Sequence, residues 1–115
     1  MKKIAIVAIC LIVVLLVSIP VVSSINNNNL PRQMELGNKY LLEGDYEEAI
    51  LAFDKAIKID PLNIDAHLGL AKAYQESGRP EDAKKPLNTI LEIDNENVEA
   101  YLLLAEVYVE LGEIE

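Results

Sequence analysis

The chain has little of the material from which most catalytic and metal sites are built. Its 115 residues include one cysteine, one histidine and one phenylalanine, and no tryptophan. The single cysteine, Cys10, excludes an intrachain disulfide. His67 has no partner cluster with the spacing of metal ligands or of a nucleophile and its base, so we expect it to be packed in the fold. The sequence therefore predicts a protein without enzyme activity, bound metal or cofactor.

Positive charge is also scarce. Ten Lys and Arg residues stand against nineteen Asp and Glu residues, which gives a formal net charge of −9. Without Lys2 and Lys3 the remainder of the chain carries −11. Nucleic acid is a poor partner for such a surface, because phosphate groups require cations.

The amino terminus contains the one long apolar stretch. Residues 4–22, "IAIVAICLIVVLLVSIPVV", include no charge and follow Lys2 and Lys3. At about 1.5 Å per residue, a helix of this length just crosses a hydrocarbon core of roughly 30 Å. One interpretation is a transmembrane anchor over residues 1–24, and the other is a signal peptide cleaved near Ser24. The lysines favour the cytoplasm, so the remainder is expected outside it, either on a single-pass membrane protein or secreted.

A polar, asparagine-rich segment follows this stretch. Residues 25–29 lack apolar periodicity and precede Pro31, which is typical of a flexible linker.

From Leu30 onward the sequence repeats itself every 34 residues. The repeated positions are Leu36, Leu70 and Leu104; Tyr40, Tyr74 and Tyr108; and Gly44, Gly78 and Gly112. Within each unit, apolar residues three and four apart predict two helices separated by the glycine. We expect Asp45 to cap the second helix of the first unit, with Glu48 completing a capping box, and Pro80 to start the corresponding helix of the next unit.

These residues resemble the tetratricopeptide repeat family. The first unit matches its pattern at Leu36, Gly37, Tyr40, Ala49, Phe53, Ala56 and Pro61, and departs from it at Gln33. The resemblance implies an all-α fold, in which antiparallel helix-turn-helix repeats stack as a short right-handed superhelix. The predicted domain covers residues 30–115, with repeats at 30–63 and 64–97 and a truncated repeat at 98–115. An amino-terminal hydrophobic helix precedes it.

Two features depart from a regular array. Pro86 lies inside a predicted helix, where proline removes a backbone hydrogen bond at a cost of roughly 3 kcal/mol, so we expect a kink or a split between Asp82 and Leu87. The last predicted helix, residues 99–111, has no second helix to cover Leu104, Val107, Tyr108 and Leu111. Three explanations remain open: a fragment of a longer product, self-association through this exposed last helix, and an imperfect end cap.

The resemblance also implies a binding surface. In this family the first helices of the units line a concave groove that binds proteins or peptides. The corresponding residues are Met34, Asn38, Leu41, Asp65, Leu68, Lys72, Gln75, Glu99, Leu102, Glu106 and Val109. Only Asn38 fits the family members that bind a carboxyl terminus, since Met34, Glu99 and Leu103 occupy the cationic positions.

The predicted function is a non-catalytic, membrane-tethered scaffold that binds a basic or amphipathic peptide or protein in this groove. The alternative is the amino-terminal recruiting arm of a longer envelope protein or enzyme, whose activity lies downstream of residue 115. We expect the double variant Leu68→Asp/Leu102→Asp to abolish partner binding in the groove without unfolding the domain.

Overall fold

The computed structural model describes residues 29–113, which form five α-helices and no strand. The helices are α1 (Leu30–Glu43), α2 (Tyr46–Ile59), α3 (Ile64–Glu76), α4 (Pro80–Ile93) and α5 (Val98–Glu110). The predicted all-α arrangement of helix-turn-helix units is confirmed for this part of the chain. The predicted hydrophobic helix and the linker up to residue 28 lie outside the described residues. None of the helices in residues 29–113 is long and apolar enough to cross a membrane.

The packing order separates the helices into two rows. Each helix contacts the next one in the chain, and in addition α1 contacts α3 and α3 contacts α5. Within the described residues, α2 and α4 make no comparable contact. The odd-numbered helices therefore form one continuous surface, whereas a gap separates α2 from α4 on the other side.

Three asparagines set the starts of the odd-numbered helices. Asn29, Asn63 and Asn97 are spaced by 34 residues, and each side-chain oxygen accepts a hydrogen bond from the backbone N–H three residues later, at 2.8–2.9 Å. Such caps satisfy a donor that the first helical turn leaves free. The repeat of this asparagine was visible in the sequence and belongs to the same 34-residue register.

The ends of the odd-numbered helices are as expected, whereas the start of α2 is not. Gly44, Gly78 and Gly112 adopt the left-handed conformation, with φ of 80°, 80° and 69°, and end the preceding helices as predicted. The predicted capping box at Asp45 is wrong, because the Asp45 side chain makes no capping hydrogen bond. The backbone of Asp45 begins the helix instead, and its carbonyl accepts from the Ala49 N–H at 3.0 Å.

Phe53 is the largest side chain that is completely buried in the first unit. Its ring lies against Gly37 of α1 and Gly69 of α3, where the absence of a side chain lets the helices approach. In the second unit, the buried Leu87 stands where the first has Phe53, and Ala71 stands where it has Gly37. A larger central side chain is therefore paired with smaller neighbours. Tyr74 packs against both core clusters and joins them.

Pro86 does not split its helix. The helix α4 runs without interruption from Pro80 to Ile93, so of the predicted kink or split the split is wrong, and the kink stays a prediction. Pro86 is buried together with Ala83, Leu87 and Ile90, which lie on the same side of α4. We attribute the continuity to this packing, because burial of one apolar face holds the turns on both sides of the missing hydrogen bond.

The last helix is better covered than the sequence predicts. Val107 is completely buried, and Leu104, Tyr108 and Leu111 are half-buried. The prediction that these four residues lack a cover is wrong because α4 packs against this side of α5. The apolar residues of α5 that do remain exposed are Val98, Tyr101, Leu102, Ala105 and Val109.

Candidate protein-binding surface

The eleven residues predicted for the groove come together on the surface formed by α1, α3 and α5. They line three depressions of about 310, 340 and 420 Å³ in order along the surface. Lys72 borders both the first and the second depression, and Glu106 borders both the second and the third. We call this surface the groove. Its lining consists of the eleven predicted residues together with Gly69, Glu76, Leu103, Ala105 and Glu110.

Polar contacts across the groove hold α3 against α5. The Lys72 ammonium lies 2.7 Å from a carboxylate oxygen of Glu99, and the Gln75 amide donates a hydrogen bond of 2.6 Å to Glu110. Lys72 is the single cation among the lining residues, and Glu99 pairs with it. Four further carboxylates line the groove, from Asp65, Glu76, Glu106 and Glu110. The electrostatic potential of the groove is therefore negative, which favours a cationic partner.

Apolar side chains form the floor of the groove at its α1 end. Met34 and Leu41 are half-buried, and both pack against the core of the first unit. Leu68 is only 7% exposed and belongs to the core of the second unit. The expectation that Leu68→Asp leaves the fold intact is therefore wrong, because it would bury an unpaired charge. Asn38, Asp65 and Glu106 are exposed and are suitable positions for variants.

A second concavity lies on the opposite side, in the gap between α2 and α4. This α2–α4 cleft has a volume of about 320 Å³. Its lining residues are Asp54, Ile57, His67, Leu70, Tyr74, Glu81, Asp82, Lys85, Pro86 and Thr89. No motif in the sequence indicates this cleft, because its width depends on how far helix packing separates α2 from α4.

Two polar residues of the cleft, His67 and Asp54, are at least partly buried. His67 is buried as predicted, and its Nε2 donates a hydrogen bond of 2.8 Å to the Pro61 carbonyl. Burial raises the pKa of the Asp54 carboxyl above 3.8, and nearby Lys58 and Lys85 partly oppose this shift. Among residues 29–113, no three or more His, Cys, Asp or Glu side chains are grouped so as to hold a metal ion.

Cations stack on two of the repeated tyrosines. The Arg79 guanidinium lies 4.8 Å from the ring centre of Tyr74, and the Lys84 ammonium lies 5.1 Å from that of Tyr108. A hydrogen bond to Glu113 contributes most to the raised pKa of Lys84. The Lys84–Tyr108 contact joins the second unit to the third, whereas the Arg79–Tyr74 contact lies within the second unit.

Comparison with known proteins agrees with this geometry. Residues 40–96 match the family model described as Tetratricopeptide repeat. The structure of MamA protein is 31% identical with a TM-score of 0.70, and the match covers 77% of this chain and 48% of MamA. The first TPR domain of the human RPAP3 protein is 26% identical with a TM-score of 0.70, and covers 73% of this chain and 66% of that domain. No curated protein gives a significant match.

The helical arrangement and these matches agree on the class of protein. Residues 29–113 form an α-helical repeat domain in which inner and outer helices alternate. The family match and the similar structures support its assignment to the tetratricopeptide repeat family. The chain spans about half the length of the MamA structure.

Proposed function

We propose that the protein is a non-catalytic scaffold that binds a segment of another protein in the groove. The observation that carries this proposal is the alignment of the three adjoining depressions across α1, α3 and α5. Together they offer an extended path long enough for a peptide, with apolar contacts from Met34, Leu41 and Leu102. The proteins that resemble this chain include a TPR domain, and such domains bind proteins or peptides.

The charge of the groove selects the class of partner. Its carboxylates outnumber its single, paired cation, so a basic or amphipathic segment gains electrostatic attraction as it approaches. Acidic partners are repelled by the same groups. Apolar contacts with the floor then supply most of the affinity, while the exposed carboxylates determine orientation and association rate.

The test is a peptide selection followed by matched charge reversals. A random peptide library is selected on the immobilised 115-residue chain, and binding of the most enriched peptide is measured by fluorescence anisotropy. In Asp65→Lys/Glu106→Lys we expect the affinity to fall by about tenfold. The control variant Glu48→Lys/Glu92→Lys carries the same charge change on the exposed surfaces of α2 and α4 and should bind normally. Equal affinity of the two variants would contradict the groove.

We further propose that residues 4–22 attach the scaffold to a membrane, with the repeats on the extracytoplasmic side. The support is the uncharged length of this segment and the position of Lys2 and Lys3 before it. Cleavage near Ser24, and hence secretion, is the competing outcome. Extraction of native membranes at alkaline pH distinguishes them, because a spanning anchor stays with the lipid and a cleaved domain is released.

The second candidate function is a recruiting arm of a longer protein whose activity lies downstream of residue 115. The exposed apolar side chains of α5 favour this candidate, since a further helix of the same chain could cover them. The intact mass of the native protein tests it. A mass well above 12.8 kDa supports the recruiting arm.

A further inference from the structure

The first two depressions of the groove differ in the side chains that line them. The first lies mainly between α1 and α3, and its three large apolar residues are Met34, Leu41 and Leu68. The second lies between α3 and α5, and its single apolar residue is Leu103. Helices of the described chain border each of these depressions on two sides. The first depression is therefore the better site for an apolar side chain of a partner.

Charge is distributed in the opposite way between the two depressions. Three carboxylates of the second depression form no ion pair within residues 29–113, and they belong to Glu76, Glu106 and Glu110. In the first depression, the Glu99 carboxylate lies 2.7 Å from the Lys72 ammonium, and only Asp65 carries a carboxylate that no cation of the described chain pairs with. The second depression therefore attracts a cation more strongly than the first.

The distance between the two depressions indicates the conformation of a segment that fills both. They share Lys72 of α3 as a border, and the axes of packed neighbouring helices are about 8–10 Å apart. A chain in the polyproline II conformation advances about 3.1 Å per residue and completes a turn in three residues, so its side chains i and i+3 point the same way roughly 9 Å apart. In a β-strand, side chains on one face are roughly 7 or 13 Å apart, and neither distance matches as well.

The backbone of such a segment also finds a hydrogen-bond donor in the groove. A polyproline II chain makes no internal backbone hydrogen bonds, so its carbonyl groups are free to accept. The side-chain amide of Asn38 is exposed in the first depression and can donate to one of them. In an α-helix these carbonyl groups are already bonded within the helix, so Asn38 favours the extended segment.

We propose that the groove recognises a polyproline II segment of a partner protein that carries an apolar residue and a Lys or Arg three positions apart. The apolar side chain packs on Met34 and Leu41 in the first depression, and the cation reaches the carboxylates of Glu76 and Glu106 in the second. Lys72 lies at the boundary and repels the cation from the first depression. The inference rests on the proposed peptide site in the groove, and adds the conformation of the segment and the spacing of its two anchors.

The probes are proline octapeptides that contain one leucine and one arginine. In the matching peptide leucine is the third residue and arginine the sixth, whereas arginine is the fifth residue in one control and the seventh in the other. All three have acetylated and amidated ends and the same composition and net charge, so a difference in affinity reports the spacing. Binding to the 115-residue chain in lipid nanodiscs is measured by fluorescence anisotropy, with empty nanodiscs as the baseline. We expect the matching peptide to bind at least about fivefold more tightly than either control.

Two double variants with the same change in net charge locate the cation. Glu76→Gln/Glu106→Gln removes two carboxylates from the second depression and should weaken binding of the matching peptide by at least about fivefold. Asp65→Asn/Glu48→Gln removes one carboxylate from the first depression and one from the exposed surface of α2. This control variant should change the affinity by less than about twofold, because neither carboxylate lines the second depression.

Several results would overturn the inference. Equal affinity for the three spacings, or equal losses in the two double variants, would contradict it directly. Tighter binding of an α-helical peptide with the same two anchors seven residues apart would refute the polyproline II conformation. If none of the proline peptides binds while the library-selected peptide still binds in the groove, this inference is wrong and the proposed function stands. If the selected peptide also binds Asp65→Lys/Glu106→Lys with unchanged affinity, the proposed function fails together with the inference.

Discussion

Gly37 and Gly69 provide the sharpest test of how the units pack. A Cβ atom added at Gly37 would lie 2.7 Å from Cε1 of Phe53, and one added at Gly69 would be closer still. Both glycines face the same ring, so movement of the ring away from one side chain is opposed by the helix on the other side. Phe53 itself is completely buried.

The Gly37→Ala variant brings two opposing effects. Alanine favours a helix over glycine by about 1 kcal/mol. Overpacking of a buried core usually destabilises by about 1–3 kcal/mol. Because the Phe53 ring is held on both sides, we expect overpacking to dominate, with a net loss of up to about 2 kcal/mol in the free energy of unfolding.

The second unit supplies the compensating variant. There, Leu87 and Ala71 occupy the positions of Phe53 and Gly37, and both are buried in the same core cluster. In a Phe53→Leu background, we therefore expect Gly37→Ala to become neutral or stabilising, by up to about 1 kcal/mol. The coupling energy between the two sites should exceed about 1 kcal/mol.

The assay is urea denaturation of the four proteins of this double-mutant cycle, followed by circular dichroism. A change in sign of the Gly37→Ala effect between the two backgrounds supports the packing described here. If Gly37→Ala stabilises the protein equally with Phe53 and with Leu at that position, the ring does not restrict Gly37 and the account of this contact is refuted.

Three further changes test individual features of the fold. Pro86→Ala restores a backbone hydrogen bond in α4 and should raise the free energy of unfolding by about 1–3 kcal/mol, measured in urea. A decrease in the free energy of unfolding would show that packing of the proline ring outweighs the missing hydrogen bond. Asn63→Ala removes the cap of α3 and should lower the free energy of unfolding by about 1 kcal/mol. The control Asn88→Ala, at an exposed position of α4, should leave the free energy of unfolding unchanged. Asp54→Asn should stabilise the protein at pH 7. Because the pKa of Asp54 is raised in the fold, the native state binds the proton of this carboxyl more tightly than the unfolded state does. The destabilisation caused by its charge therefore appears as the pH rises above 3.8. The gain in melting temperature should therefore disappear below about pH 4, and a gain that persists there would contradict the role of the charge.

The repeat register could be predicted from the sequence because local residues determine it. Glycines in the left-handed conformation and apolar residues at helical spacing lie within one unit, and they locate the helix ends to within a few residues. The asparagine caps follow the same 34-residue spacing, at the residue before the first helix of each unit.

The features that could not be predicted depend on contacts between helices. The burial of Val107 requires that α4 reach across α5, and the continuity of α4 at Pro86 requires the packing of its buried face. Leu68 lines the first depression, but its depth in the core was not apparent from spacing. Position along a helix indicates the direction of a side chain, whereas burial depends on the distance to the neighbouring helix.

The most direct test of the proposed function is to map where the selected peptide binds. Two-dimensional amide NMR spectra of the 115-residue chain are recorded during titration with that peptide. We predict the largest shifts along the groove, at Asn38, Asp65 and Gln75, with α2 and the α2–α4 cleft unchanged. Shifts concentrated at Asp54 and Thr89, with the groove unaffected, would contradict the account and move the binding site to the opposite side of the domain.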